Sequence, residues 1–83
     1  MKVTVRYFAS IREAMACGSE TLETSATTLG ELRDSLAARP NDGAAALARG
    51  RAVRMALNQV MGDDYTALQP DCEVAFFPPV TGG

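Results

Sequence analysis

Lys2-Val3-Thr4-Val5-Arg6-Tyr7-Phe8 is the stretch on which the fold turns. Val3, Val5 and Tyr7 point one way, and Lys2, Thr4 and Arg6 the other. A period of two in β-branched and aromatic residues marks a strand buried on one face. Its counterpart stands at the other end of the sequence. Cys72-Glu73-Val74-Ala75-Phe76-Phe77 is the most β-prone run in the chain, and it is cut by Pro78-Pro79, which cannot donate to a ladder. These two strands are the strongest, and they are expected side by side in the centre of one sheet.

The intervening sequence supplies shorter elements. Ser10-Ile11-Arg12-Glu13 has the spacing of a capping box, so a short helix is expected to about Ala16, stopping near Gly18. Glu20 to Thr24 alternates and reads as a mostly exposed strand. Thr28-Leu29-Gly30-Glu31 repeats the capping-box spacing, and Leu29, Leu32 and Leu36 form one helical stripe. Arg39-Pro40 ends that helix, because the residue before proline is driven out of the helical region. Asn41-Asp42-Gly43 reads as a turn, and Ala44 to Arg49 as a short helical turn ending at Gly50. Val53 to Asn58 suggests a third strand, with turns at Gly62-Asp63-Asp64 and Pro70-Asp71.

The order is strand, strand, helix, strand, strand, with small helical insertions. It predicts an α+β fold: a mixed sheet with one main helix packed on one face, as in a β-grasp (ubiquitin-like) arrangement. Periodicity leaves the strand pairing open. Residues 1–77 would form the domain and residues 78–83 an extended tail.

Eighty-three residues suffice for one domain and leave little room for a deep catalytic cleft. The net charge is −2 and the basic residues are scattered, which argues against a nucleic-acid partner, since phosphate backbones call for clustered Lys and Arg. The nearest basic cluster, Arg49, Arg51 and Arg54, reads as a solvated turn and strand face or as a contact with an acidic partner. No apolar run approaches the 18 or so residues of a membrane span, and the first residues lack a signal-peptide pattern, so a cytoplasmic location is expected. Cys17 and Cys72 are far apart, belong to no CxxC pair and are expected to stay reduced.

The chain carries no histidine, the commonest general acid–base and metal ligand, and no phosphate-binding glycine loop. Gly30 reads as an ordinary first-turn glycine and Asp63-Asp64 as turn formers. Cys72 lies between Asp71 and Glu73, the wrong setting for a reactive thiolate. No catalytic residue, bound cofactor or metal ligand is expected.

The tail is different. Pro78-Pro79 favours a stiff, extended segment leading away from the body. From Pro78 to Gly83 it reaches about 20 Å at roughly 3.3 Å per residue. Val80 and Thr81 offer grip, and Gly82-Gly83 offer a slender end that fits a narrow channel and accepts any dihedral imposed on it. A terminal carboxylate is a poor electrophile until it becomes a mixed anhydride such as an acyl-adenylate, and glycine leaves that carbonyl open. The sequence therefore suggests a tail inserted into a partner and activated there.

Phe76-Phe77-Pro78-Pro79-Val80-Thr81-Gly82-Gly83, preceded by Glu73-Val74-Ala75, resembles the C-terminus of the small subunits of molybdopterin synthase. Tyr7-Phe8-Ala9-Ser10-Ile11-Arg12-Glu13 is similar to that family's first strand and turn, and Asn58 also fits. One departure is visible: the family usually has Gly-Asp before Glu73, where this chain has Asp71-Cys72. The resemblance implies a β-grasp sulfur carrier. An adenylyltransferase like those of ubiquitin activation would spend ATP to adenylate Gly83, and sulfur would replace AMP to give a thiocarboxylate. The tail would then enter the large catalytic subunit of a heterotetrameric synthase and pass its sulfur to cyclic pyranopterin monophosphate, building the molybdopterin dithiolene. A carrier for thiamine or another thio-compound, and a ubiquitin-like protein modifier, are the alternatives. Phe8 and Phe77 fall on the outer face of their strands, and with Met61 they match the family's partner-facing positions.

Overall fold

The computed structural model describes residues 1–40 and 42–79, apart from the side chain of Asp42. Asn41 and the tail residues Val80, Thr81, Gly82 and Gly83 lie outside the described residues. The elements are β1 (Lys2–Tyr7), α1 (Ala9–Met15), β2 (Ser19–Glu23), α2 (Leu29–Ala37), a 3-10 helix (Asp42–Leu47), β3 (Arg54–Leu57), β4 (Val60–Gly62) and β5 (Glu73–Phe77). They build one five-stranded sheet in the order β2-β1-β5-β3-β4. β1 and β5 run parallel, with Val5 opposite Val74 and Tyr7 opposite Phe76, while the other neighbours are antiparallel.

The two strongest strand patterns thus lie side by side. Their inward residues Val3, Val5, Tyr7, Val74 and Phe76 are all at most 1 % exposed. The leucine stripe of α2 covers them, with Leu29, Leu32 and Leu36 joining one core cluster with these strand residues. Burying that set is the main stabilising term, at roughly 1.5–3 kcal/mol for each large aliphatic side chain. Among the described residues, no helix lies over the opposite sheet face.

Helix α2 starts as its sequence predicts, with the Thr28 hydroxyl accepting from the Glu31 N–H at 3.2 Å. The reciprocal arm lands one residue early: the Glu31 carboxylate accepts from the N–H and hydroxyl of Thr27, at 2.7 and 2.8 Å. At α1 the predicted capping box does not form. The chain reverses at Phe8, with Ala9 at φ 52°, and the Phe8 carbonyl takes the N–H groups of Ile11 and Arg12. Ser10 is thereby drawn into the first turn, and the N-cap position falls to Phe8, which has no capping side chain.

The region between α2 and β5 departs most from expectation. Asp42-Gly43 opens the 3-10 helix, which ends at Leu47, earlier than the Ala44–Arg49 turn expected. Gly43 is required there, since a Cβ would lie 2.2 Å from the Ala14 carbonyl oxygen of α1. A fifth strand appears where a turn was read: Gly62 belongs to β4, which pairs with β3 through the two-residue turn Asn58-Gln59. Both turn residues take left-handed φ (49° and 70°), the backbone sense that a type I′ hairpin needs. Asn58 also accepts the Glu73 N–H on its side-chain oxygen at 2.9 Å, tying the hairpin to the start of β5.

Gly30 is more than an ordinary first-turn residue. Its N–H donates to the Asp64 carbonyl, and a Cβ would meet Asp64 atoms at 2.9 Å. Arg49, read as solvated, joins the same contact, pairing with Asp34 and Asp64, each at 2.8 Å. Arg33 is 6 % exposed and donates to the carbonyls of Leu47, Ala48 and Arg51 at 2.7, 2.9 and 3.0 Å, capping the irregular segment after the 3-10 helix. Asp71, where the resemblance expects glycine, adopts φ 62°, a left-handed conformation that aspartate tolerates, and Cys72 is buried beside it. Both cysteines are free thiols.

Two predictions follow from this packing. Arg33→Met keeps the apolar stem but removes the donor to the buried Leu47 carbonyl and to the part-buried Arg51 carbonyl, while Ala48 keeps the Arg51 N–H, so it should lower unfolding stability by about 2–4 kcal/mol in urea titration. Glu20 accepts from Tyr7 and Arg39, and its carboxyl is held below its ordinary value of 4.5, chiefly by the Arg39 hydrogen bond. A depressed folded-state value stabilises the fold at pH above the unfolded value, and the stabilisation disappears as pH falls through the folded one. Glu20→Gln should therefore melt below the parent at pH 7, with the gap closing in acid; a gap independent of pH would contradict this origin.

Candidate functional site

The uncovered sheet face is not uniform. Because β1, β5 and β3 are in register, Thr4 and Arg6 share this face with Glu73, Ala75 and Phe77 of β5 and with Ala56 of β3. Ala56 pairs with Ala75 at the middle, and Met61 of β4 pairs with Ala56 on its other side. Two small residues side by side leave a depression. Larger side chains rise around it: Phe8, Phe77 and Met61. The result is an open apolar groove of about 560 Å³, lined as well by Pro78 and Pro79.

The three residues read from the sequence as partner-facing, Phe8, Met61 and Phe77, are thus brought to one site. Phe8 and Met61 are 41 % and 55 % exposed, unusual for large apolar side chains on a folded surface that does not use them. Phe8 and Phe77 meet edge to face, with ring centroids 6.5 Å apart and planes at 85°. Such a pair adds about 0.5–1.5 kcal/mol beyond area burial and holds both rings in place. The Arg6 guanidinium lies 5.5 Å from the Phe8 ring centre and 3.9 Å from the Glu73 carboxylate, bracing the same ring from behind. The groove is pre-formed, so a partner need not order it on binding.

Local structure explains the placement. β1 runs parallel to β5, so Phe8 and Phe77 leave the sheet at the same end, joined by the Phe8 N–H donating to the Phe76 carbonyl at 3.1 Å. Pro78 then ends the ladder. Met61 reaches the groove only because the Asn58-Gln59 turn folds β4 back beside β3. Sequence reasoning did not assign the Ala56–Ala75 floor or Gln59, which also lines the groove. The floor would be legible only with the pairing register in hand, because nothing in an isolated alanine signals it. The remaining tail residues read as functional, Val80 to Gly83, lie outside the described residues; Pro78 and Pro79 lie at the mouth of the groove.

The groove can bind but is poorly equipped to catalyse. Its walls carry aromatic rings, alanines, proline rings, a thioether and one amide. Among the described residues, no group of three His, Cys, Asp or Glu side chains stands close enough to hold a metal ion, and no helix is long and apolar enough to cross a membrane.

Known proteins share this architecture. A small archaeal modifier protein, SAMP1 of Haloferax volcanii, superposes with a TM-score of 0.77 over all of both chains at 20 % identity, a likeness of fold. A solved complex of subunits 1 and 2 of molybdopterin-converting factor from Helicobacter pylori contains a chain 30 % identical to this one, with a TM-score of 0.68 and complete coverage of both. The molybdopterin synthase sulfur carrier subunit of Haemophilus influenzae is 36 % identical over 81 residues, covering 98 % of this chain and 99 % of its own. The ThiS family profile matches residues 5–83. With the five-stranded β-grasp sheet, the match along nearly its whole length and the likeness to sulfur carrier subunits, the chain belongs to the ThiS family.

Proposed function

We propose that this chain is the sulfur-carrier subunit of a molybdopterin synthase in molybdenum cofactor biosynthesis. The observation that carries the reading is the pre-formed apolar groove at the root of the tail, in a chain that matches carrier subunits along nearly its whole length. The groove supplies affinity and the tail supplies chemistry. Residues 1–77 act as the docking body and residues 78–83 as the arm.

The steps fall on the arm. The Gly83 carboxylate attacks the α-phosphorus of ATP on an activating adenylyltransferase, releasing pyrophosphate and leaving a glycyl-adenylate. A sulfur nucleophile adds to that carbonyl and AMP departs, so a C–S bond replaces the acyl C–O bond. Pro78 and Pro79 stiffen the start of the arm, Val80 and Thr81 give the partner grip, and Gly82 and Gly83 are slender enough for the partner's channel. In the large subunit the thiocarboxylate delivers its sulfur to cyclic pyranopterin monophosphate, one carrier for each dithiolene sulfur. Acid–base groups and nucleotide sites belong to the partners, and this chain binds no cofactor of its own. The H. pylori complex of subunits 1 and 2 supports a large-subunit partner. The whole cycle fits the cytoplasm, where ATP is available and thiols stay reduced.

Reconstitution tests the reading. The thiocarboxylate form, heavier than the carboxylate by about 16 Da for one oxygen replaced by sulfur, should convert precursor to dithiolene when mixed with large subunit, and removal of Gly83 should abolish conversion. No product from the intact thiocarboxylate would refute the assignment, and recovery of the chain joined to a protein lysine would favour a modifier instead. The groove has its own test. Phe77→Asp places a charge at the groove wall and leaves the buried face untouched, so it should weaken the complex with the large subunit about 100-fold or more while the circular dichroism spectrum stays unchanged.

A further inference from the structure

The arginines of the 49–54 segment separate into two kinds. Arg49 is spent on Asp34 and Asp64. Arg51 and Arg54 are exposed, and among the described residues no carboxylate lies within ion-pair distance of either. Their positions are specific. Arg54 pairs in register with Phe77, the last strand residue before the tail. It shares the uncovered face with Ala56, the floor of the groove. Arg51 lines a second depression, of about 490 Å³, on the other side of the tail root, which it shares with Ile11 of α1 and with Pro78 and Pro79. Arg51 thus lines the second depression together with the two prolines, and Arg54 stands on the strand beside Phe77, so both cations belong to the root of the tail.

A chain of net charge −2 that keeps two unpaired cations at the one point where its arm emerges is complementary to an acidic surface there. We propose that Arg51 and Arg54 form a cationic collar around the tail root that engages carboxylates at the mouth of the partner's tail channel. The partner surface is then an apolar knob that fills the Phe8–Met61–Phe77 groove, flanked by Asp or Glu side chains that meet the collar. The collar lies too close to the body to serve the activated end itself. Four residue steps lead from Pro79 to Gly83, a span of up to about 14 Å when extended. Its task is to steer the arm into the channel and fix its angle of entry. This inference rests on the sulfur-carrier reading and adds the chemistry of the partner's rim.

The test is association kinetics with the purified large subunit of the same organism, at low ionic strength where the Debye length is about 30 Å and again in physiological salt. Arg51→Glu with Arg54→Glu should slow association about tenfold or more and flatten its salt dependence, with a smaller change in dissociation. Arg54→Glu alone should slow association more than Lys2→Glu, a reversal of equal charge at the far end of β1. Arg49→Ala should lower the melting temperature and leave the association rate unchanged. Thermal melts of the charge-reversal variants should match the parent, because neither side chain holds the fold together. Association that is equally fast in the double variant, or equally slowed by Lys2→Glu, would overturn the collar while leaving the carrier reading intact. Failure of the parent chain to bind the large subunit would overturn both.

Discussion

The parallel pairing of β1 with β5 is the constraint on which the rest of the molecule depends. It joins two strands from opposite ends of the sequence, so the chain between them must cross over, adding β2, β3 and β4 to the sheet and laying α2 over one face. It also fixes parity. With Val5 opposite Val74 and Tyr7 opposite Phe76, all five inward residues join one core cluster with the leucines of α2. A slip of one residue in either strand would turn that strand's core residues outward. The same register sends Phe8 and Phe77 out of the sheet together, on the same face and at the same end. Core and groove are two consequences of one pairing.

Legibility from sequence follows the strength of each physical signal. β1, β5 and the leucine stripe of α2 were readable because burial on one face imprints a period, and their inward positions are all but completely buried. β4 was not readable. It has three residues, two of them exposed, and it is created by its pairing with β3 rather than by any amphipathic pattern of its own. The one available clue was Asn58, a residue type at ease with positive φ; Gln59, in the second turn position, carries no such signal. Arg33 drew no sequence reading, and Arg49, read as solvated and exposed in the structure, has partners that the sequence does not show. Composition treats arginine as solvated, whereas these two serve carbonyls and carboxylates brought near by tertiary structure. At α1 the capping-box spacing was present but lost to geometry, because the reversal at Phe8–Ala9 had already supplied a carbonyl to the first helical N–H groups.

The candidate site divides in the same way. Its aromatic rim could be read from the strand alternation of Phe8 and Phe77, since each stands out of phase with the core residues beside it. Its alanine floor could not, since Ala56 and Ala75 become neighbours only through the β3–β5 pairing. The site is a product of register, and register is what a periodic pattern leaves undetermined. Local patterns therefore named the walls of the groove without revealing that a groove existed.

The uncovered face also varies along its length. Near the start of β1 and the end of β2 it carries Lys2, Thr4, Thr21 and Glu23, the polar surface expected where an antiparallel pair faces water. Toward the end of β5 it turns apolar. Fold stability does not require that change, because the core lies wholly on the other face, and polar residues at Phe8, Met61 and Phe77 would leave the inward set untouched. The hydrogen-bonding network is unequal in the opposite sense. Arg33, Arg49 and the Tyr7–Glu20–Arg39 cluster pin the crossover elements to one another, whereas the groove is braced only by ring packing and the long Arg6–Glu73 pair. The molecule is densely hydrogen-bonded where it covers its own core and sparsely so on its outward apolar end, which is the end from which the tail departs. A surface on which the buried core does not depend, yet which is shaped by the central strand register and set beside the root of the tail, fits the docking role proposed for it.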